Sequence, residues 1–121
     1  MTWTKESFQV VLDDIFINKV PDIASYAGLH FSKDYREYSS AGERDFNGFV
    51  QMVIQLRDAT KPGGTITVHQ CFQVGREVAT RYTVDVELLD GNAMKVEAYI
   101  IGETEEDGHR FLNLWEATVS I

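Results

Sequence analysis

Strand-forming segments separated by hairpin-length breaks fill the chain after Gly64, and they constrain the fold more than any other feature. Thr65 to Val74, Val78 to Leu88, Met94 to Gly102 and Phe111 to Ser120 are dominated by β-branched and aromatic residues. Gly75-Arg76, Asp90-Gly91-Asn92 and the acidic loop Glu103 to Gly108 separate them. A parallel crossover needs a dozen or more residues, so neighbouring segments must pair antiparallel. Val78 to Leu88 is therefore expected at the centre, paired on both sides.

The first half reads differently. Phe8, Val11, Leu12, Ile15, Phe16 and Val20 recur at the spacing of an amphipathic helix, with Thr4 as N-cap and Pro21 as the stop. Asp22 can cap a short helix over Ile23 to Ala27, with Gly28 as a left-handed ending. Tyr35-Arg36-Glu37-Tyr38-Ser39 alternates like a strand and runs into the loop Ser40-Ala41-Gly42. Asp45 caps a third helix with the stripe Phe46, Phe49, Val50, Val53 and Ile54, closed by Thr60-Lys61-Pro62-Gly63-Gly64. Three helices, one early strand and a four-stranded meander make an α+β fold with the helices on one sheet face.

A length of 121 residues predicts one domain spanning 1–121, and 44% hydrophobic residues supply a core. The net charge of -8 repels phosphate backbones and anionic lipid, so neither nucleic acid nor a membrane is expected as a partner. The sequence carries neither a signal-peptide pattern nor a long apolar span, and a cytoplasmic location is expected. One cysteine, Cys71, allows no internal disulfide, and three scattered histidines imply no metal site.

Side chains alternate across a strand, so each hairpin register decides which residues share a face. A two- or four-residue connection at Gly75-Arg76 sets Cys71 opposite Thr80, His69 opposite Tyr82 and Thr67 opposite Val84. A two-residue turn at Asp90-Gly91 sets Tyr82 opposite Tyr99 and Val84 opposite Glu97. One face then gathers Thr67, His69, Cys71, Thr80, Tyr82, Val84, Glu97, Tyr99 and Ile101, and this face is expected to look toward the helices. The other carries Val68, Gln70, Phe72, Arg81, Thr83, Val96, Ala98 and Ile100, apolar enough to predict a two-fold homodimer packed sheet to sheet. For the last strand, periodicity leaves two registers open, with either Asn113 and Trp115 or Leu112 and Leu114 on the first face.

The order of elements resembles the nuclear-transport-factor-2-like superfamily, which includes the SnoaL-like polyketide cyclases and the ketosteroid isomerases. Local stretches that carry the resemblance are Lys19-Val20-Pro21-Asp22-Ile23, Tyr35 to Tyr38, Phe46-Asn47-Gly48-Phe49, Gly75 to Tyr82, and Asp107-Gly108 leading to Trp115. The resemblance implies a strongly bent antiparallel sheet forming a cone-like half-barrel, closed by the N-terminal helices around a pocket. It implies that Phe111, Asn113 and Trp115 point inward beside Tyr99 and Glu97. It also shows departures. Tyr38 stands where the isomerases carry their basic carboxylate and where the cyclases often carry a histidine. Val119 stands near the cyclases' acid/base aspartate, and Asp14 near the isomerases' helix-borne tyrosine. Glu97-Ala98-Tyr99 resembles the isomerase segment that holds a second carboxyl group.

The expected function is binding of a small hydrophobic or aromatic molecule in an apolar pocket with a few polar groups. The alternative is an isomerase, cyclase or dehydratase/hydratase with His69 or Glu97 as general acid/base, and no cofactor is implied. Tyr38, Tyr82, Tyr99, Asn113, Trp115 and Phe16 are the expected ligand contacts. Buried packing explains the tyrosines and Trp115 equally well, and a bond to Tyr82 would satisfy His69.

Overall fold

Helix caps written into the sequence set the starts of all three helices in the computed structural model, which describes residues 2–121. In α1 (Lys5–Leu12), Thr4 and Ser7 form a reciprocal capping box. The apolar stripe continues from α1 through a π-helical turn, Asp13–Ile17, and buries Phe8, Val11, Leu12 and Ile15. The carbonyls this turn frees are gathered by one side chain. Arg57 Nε donates to Ile15 O at 2.7 Å and Nη1 to Val20 O at 2.8 Å. In α2 (Ile23–His30), the Asp22 side chain accepts from Ser25 N. Gly28 lies inside this helix, not at a left-handed end, because residues through His30 keep the helical pattern. In α3 (Phe46–Ala59), the Asp45 side chain accepts from Gly48 N at 2.8 Å.

The strands are β1 (Phe31–Ser39), β2 (Gly42–Asp45), β3 (Thr65–Val74), β4 (Glu77–Glu87), β5 (Ala93–Thr104) and β6 (Phe111–Ser120). They form a single mixed sheet in the order β2-β1-β6-β5-β4-β3, with β4 paired on both sides as expected. Two features were not expected. The segment after Ser39 turns back as β2 to make a hairpin with β1, where a loop was expected. The sheet is also not wholly antiparallel, since β1 joins β6 in parallel. Three helices against one curled sheet give the α+β cone architecture that the sequence predicts.

At the β3 edge, unpaired backbone groups are taken up by α1. Gln9 Nε2 donates to Ile66 O at 2.7 Å and its Oε1 accepts from Val68 N at 2.8 Å, so one amide side chain imitates a neighbouring strand. At the far end of the cone, Phe111 is 1% exposed and its ring lies where a Cβ on Gly102 would stand, 2.5 Å away. The β5–β6 register shifts between Glu103 and Thr104, which lets Phe111 enter the core beside Phe31 and Trp3.

Two registers differ from expectation, each by one residue. In β3 the expected register holds through Cys71 opposite Thr80 and Gln70 opposite Arg81, and a bulge at His69 then makes Val68 the partner of Tyr82 and Thr67 the partner of Thr83. The β4–β5 connection runs over residues 88–92 instead of a two-residue turn, so Tyr82 pairs with Ala98 and Val84 with Val96. An odd connection length reverses the face of every residue in β5. The inner face therefore carries Val68, Tyr82, Ala98, Ile100 and Leu114, all buried, while Phe72, Tyr99, Ile101 and Trp115 are exposed on the outside.

Beside the core, His30 at the end of α2 meets His109 from the β5–β6 connection, with Nδ1 and Nε2 2.9 Å apart. Trp3 stacks on the His109 ring at 4.6 Å, and His109 Nδ1 is buried without a partner among the described residues. Burial, then the neighbouring His109, push His30 down to about 4, against a weaker upward pull from Asp14. The folded state thus refuses a proton that the unfolded chain accepts from pH 6.5 downward. Stability is fully present above pH 6.5 and is lost as the pH falls toward 4. For this half-buried pair the loss is on the order of 1 kcal/mol once solvent screening is allowed for. Urea unfolding of His30→Phe should show a flatter decline over that range than the parent chain.

Candidate functional site

Alternation along β1 and β6 places the polar groups of the cavity. Tyr35, Glu37 and Ser39 point inward from β1, while Leu114, Glu116 and Thr118 do so from β6. β4 adds Tyr82, and β2 brings Arg44 to the rim. Phe8, Leu12, Ile15 and Phe16 from the N-terminal helical segment, with Phe49, Met52 and Leu56 from α3, close the apolar side. The enclosed volume is about 560 Å³, within the range of small-molecule sites.

The polar groups form two linked pairs. Glu37 accepts from the Tyr35 hydroxyl at 2.8 Å through Oε1 and from Arg44 Nη1 at 3.0 Å through Oε2. Glu116 has a looser partner, the Tyr82 hydroxyl at 3.4 Å from Oε2. Burial and the charge of Glu37 push the Glu116 carboxyl up, more than the Tyr82 bond and Arg44 pull it down. Tyr35 and Tyr82 are also pushed up, chiefly by burial and then by the adjacent carboxylates, so both remain hydroxyl donors. The result is an ion-paired carboxylate and a carboxyl group biased toward its protonated form in one apolar chamber. Groups whose environments drive protonation apart can divide the roles of base and acid between them.

Of the expected ligand contacts and catalytic groups, the structure brings Tyr82 and Phe16 into this chamber, and Val84, expected on the same face, lines it too. The other expected site residues lie on the outer face of the sheet. His69, displaced by the β3 bulge, has Nε2 3.1 Å from Thr83 Oγ1. Glu97 is ion-paired with Arg81, which holds its carboxyl below the usual carboxylate range. Tyr99 is 44% exposed one residue beyond the inward Ala98. Asn113 donates to Glu103 at 2.9 Å, and Trp115 stacks on Tyr38 with ring centroids 5.6 Å apart. The inward placement of Trp115 and Asn113 implied by resemblance is thus corrected, because β6 enters with Leu114 and Glu116 inside. Phe111 does point inward.

Sequence reasoning missed Glu37, Glu116, Tyr35 and Arg44. The alternation Tyr35-Glu37-Ser39 against Arg36-Tyr38 was a usable signal, as was the open register with Leu114 inside, which carries Glu116 with it. The carboxylate sought at Tyr38 stands one residue earlier, at Glu37, and the one sought near Val119 directly follows Trp115. Among the described residues, no group of three or more His, Cys, Asp or Glu side chains is placed to hold a metal ion, and no helix is long and apolar enough to cross a membrane.

This cone-shaped α+β fold with a helix-capped cavity is that of SnoaL-like and ketosteroid-isomerase-like proteins. Wild-type IdmH from Streptomyces antibioticus, a candidate polyketide cyclase, superposes with a TM-score of 0.72 at 18% identity, covering 94% of this chain and 91% of that one. A candidate isomerase of the SnoaL-like family from Agrobacterium tumefaciens gives 0.67 at 12% identity, covering 96% and 97%. A ketosteroid-isomerase-like protein from Catenulispora acidiphila, solved in complex with trimethylamine, gives 0.71 at 10% identity, covering 94% and 85%. No family model matches the sequence, and no curated protein matches it.

The two carboxyl groups should titrate as neighbours. Glu37→Gln removes the negative charge that raises Glu116, so carbon-detected NMR titration should show the Glu116 midpoint falling. An unchanged midpoint would mean that burial alone sets it.

Proposed function

We propose that this chain is a SnoaL-like acid/base enzyme that moves a proton on a small apolar molecule, in an isomerisation, cyclisation or dehydration/hydration. The observation behind this reading is the pair of carboxyl groups in one apolar cavity, Glu37 paired with Arg44 and Glu116 without a cation and pushed up by burial. Glu37, ionised beside Arg44, takes a proton from carbon next to a carbonyl. The Tyr82 hydroxyl and the Glu116 carboxyl donate to the oxygen on which charge develops. With a β,γ-unsaturated carbonyl, Glu37 then returns its proton to the γ-carbon of the dienolate, shifting the double bond into conjugation; with a β-hydroxy carbonyl it gives the proton to the departing hydroxyl, which leaves as water. His69 and Glu97 have no part in this scheme, since they lie across the sheet from the cavity. A second reading, binding without turnover, draws support from the two hydrogen bonds that already occupy the Glu37 carboxylate.

Exchange of the α-protons of tetralone in deuterated buffer, followed by NMR, separates the two. The enzyme reading expects catalysed exchange that Glu37→Gln slows by about 10² to 10⁴ and Glu116→Gln by at least about tenfold. Tetralone that binds, shown by chemical-shift changes, yet exchanges no faster than in buffer favours the binding module.

We further propose that the outer sheet face pairs with a second copy of the chain. Phe72 is 62%, Ile101 53%, Trp115 47% and Tyr99 44% exposed, side by side over β3, β5 and β6. A two-fold contact would bury this patch on both subunits at once. The patch differs from the one read from sequence, because Val68, Val96, Ala98 and Ile100 face inward. Light scattering at micromolar concentration should give a dimer, and Ile101→Glu a folded monomer. A monomeric parent chain would refute the pairing.

A further inference from the structure

Among the described residues, the cavity wall carries two carboxyl groups, Glu37 and Glu116, and one cationic side chain, Arg44. Arg44 is already engaged with Glu37. Glu116 has only the Tyr82 hydroxyl, at the long end of the hydrogen-bond range. An ionised Glu116 would therefore stand in an apolar chamber without a cation of its own, an arrangement that favours a ligand able to supply one.

The chamber also offers the other half of a cation site. Phe31 lies 4.9 Å from Tyr35 and 4.7 Å from Phe49 between ring centroids, and Phe8 lies 6.2 Å from Tyr82. These rings are continuous with the two phenols that hold the carboxyl groups, and aromatic faces attract a cation held within about 6 Å. The net charge of -8 raises the local concentration of cations over anions around the whole molecule.

We propose that the cavity selects an apolar molecule bearing a basic amine, with the ammonium group seated against Glu116 and the aromatic wall. This rests on the reading of the cavity as the ligand site and narrows its ligand class; with the ammonium seated, Glu116 is a carboxylate and the Tyr82 hydroxyl alone is left to donate to a ligand oxygen. The step balances without a co-reactant: the amine arrives as its ammonium ion, the O–H bond of the Glu116 carboxyl breaks, and the released proton passes to water. Carboxylate and ammonium are left as a charge-assisted hydrogen-bonded pair. The same charge count disfavours a carboxylate ligand, because Arg44 is shared with Glu37.

Adamantylamine, adamantanol and adamantane carboxylate present one apolar cage with three different heads, and calorimetric titration of each into the full chain tests the proposal. The amine should bind at least about tenfold more tightly than the alcohol, and the carboxylate should show no measurable binding. In Glu116→Gln, checked for folding by circular dichroism, the amine-to-alcohol ratio should fall to about one. Equal binding of amine and alcohol to the parent chain overturns the amine proposal and leaves the cavity as a ligand site. A preference that survives in Glu116→Gln overturns it also, by placing the cation elsewhere. Binding of none of the three overturns the amine proposal and the cavity reading together. The comparison on the parent chain decides the matter even if the variant does not fold.

Discussion

A side chain on a strand has two places to go, and in this protein the two places differ completely. Inside the curled sheet lies an apolar chamber closed by α1 and α3; outside lies an exposed face. A register change of one residue therefore exchanges one chemistry for another, with no intermediate arrangement. The bulge at His69 moves an imidazole out of the chamber, and the five-residue connection after Glu87 does the same to Glu97 and Tyr99. On β6 the same alternation turns Trp115 outward and Glu116 inward. Much of the helical scaffolding serves to hold this sheet in place. Gln9 covers the exposed edge of β3, Arg57 ties the π-helical turn to α3, and the capped helices lay their apolar stripes across the opening.

The chamber's chemistry follows from how little polar surface it contains. Each carboxyl group there has a phenol as a neighbour, but only Glu37 has a guanidinium. That asymmetry divides the roles. Glu37 is ion-paired with Arg44, and Glu116, which lacks a cation, is pushed toward its protonated form as burial and a like charge act together. The tyrosines remain protonated for the same reason, so they serve as donors. Outside the chamber, Arg81 and Glu97 form a half-buried ion pair that holds the Glu97 carboxyl below its ordinary range.

Local signals in the sequence determined the elements and their class. Thr4, Asp22 and Asp45 cap helices because their side-chain oxygens reach the free amides of a first turn, and no distant residue is needed. The four strands after Gly64 followed from β-branched composition, and their antiparallel pairing from breaks too short for a crossover. The buried stripe Phe8, Val11, Leu12 and Ile15 followed from helical periodicity. Tyr82 and Phe16 could be placed in the cavity from these signals, though Tyr82 was given the wrong partners on both sides. What only the tertiary structure decided were quantities that differ by one residue or depend on distant chain. A bulge and an odd-length connection carry no periodic signature, and each inverts a face. The parallel seam between β1 and β6 joins segments far apart in the chain, and that seam brings Glu37 and Glu116 into one chamber. The upward push on Glu116 depends on the charge of Glu37 and on the depth of burial, which exist only once the sheet has curled and the helices have closed over it.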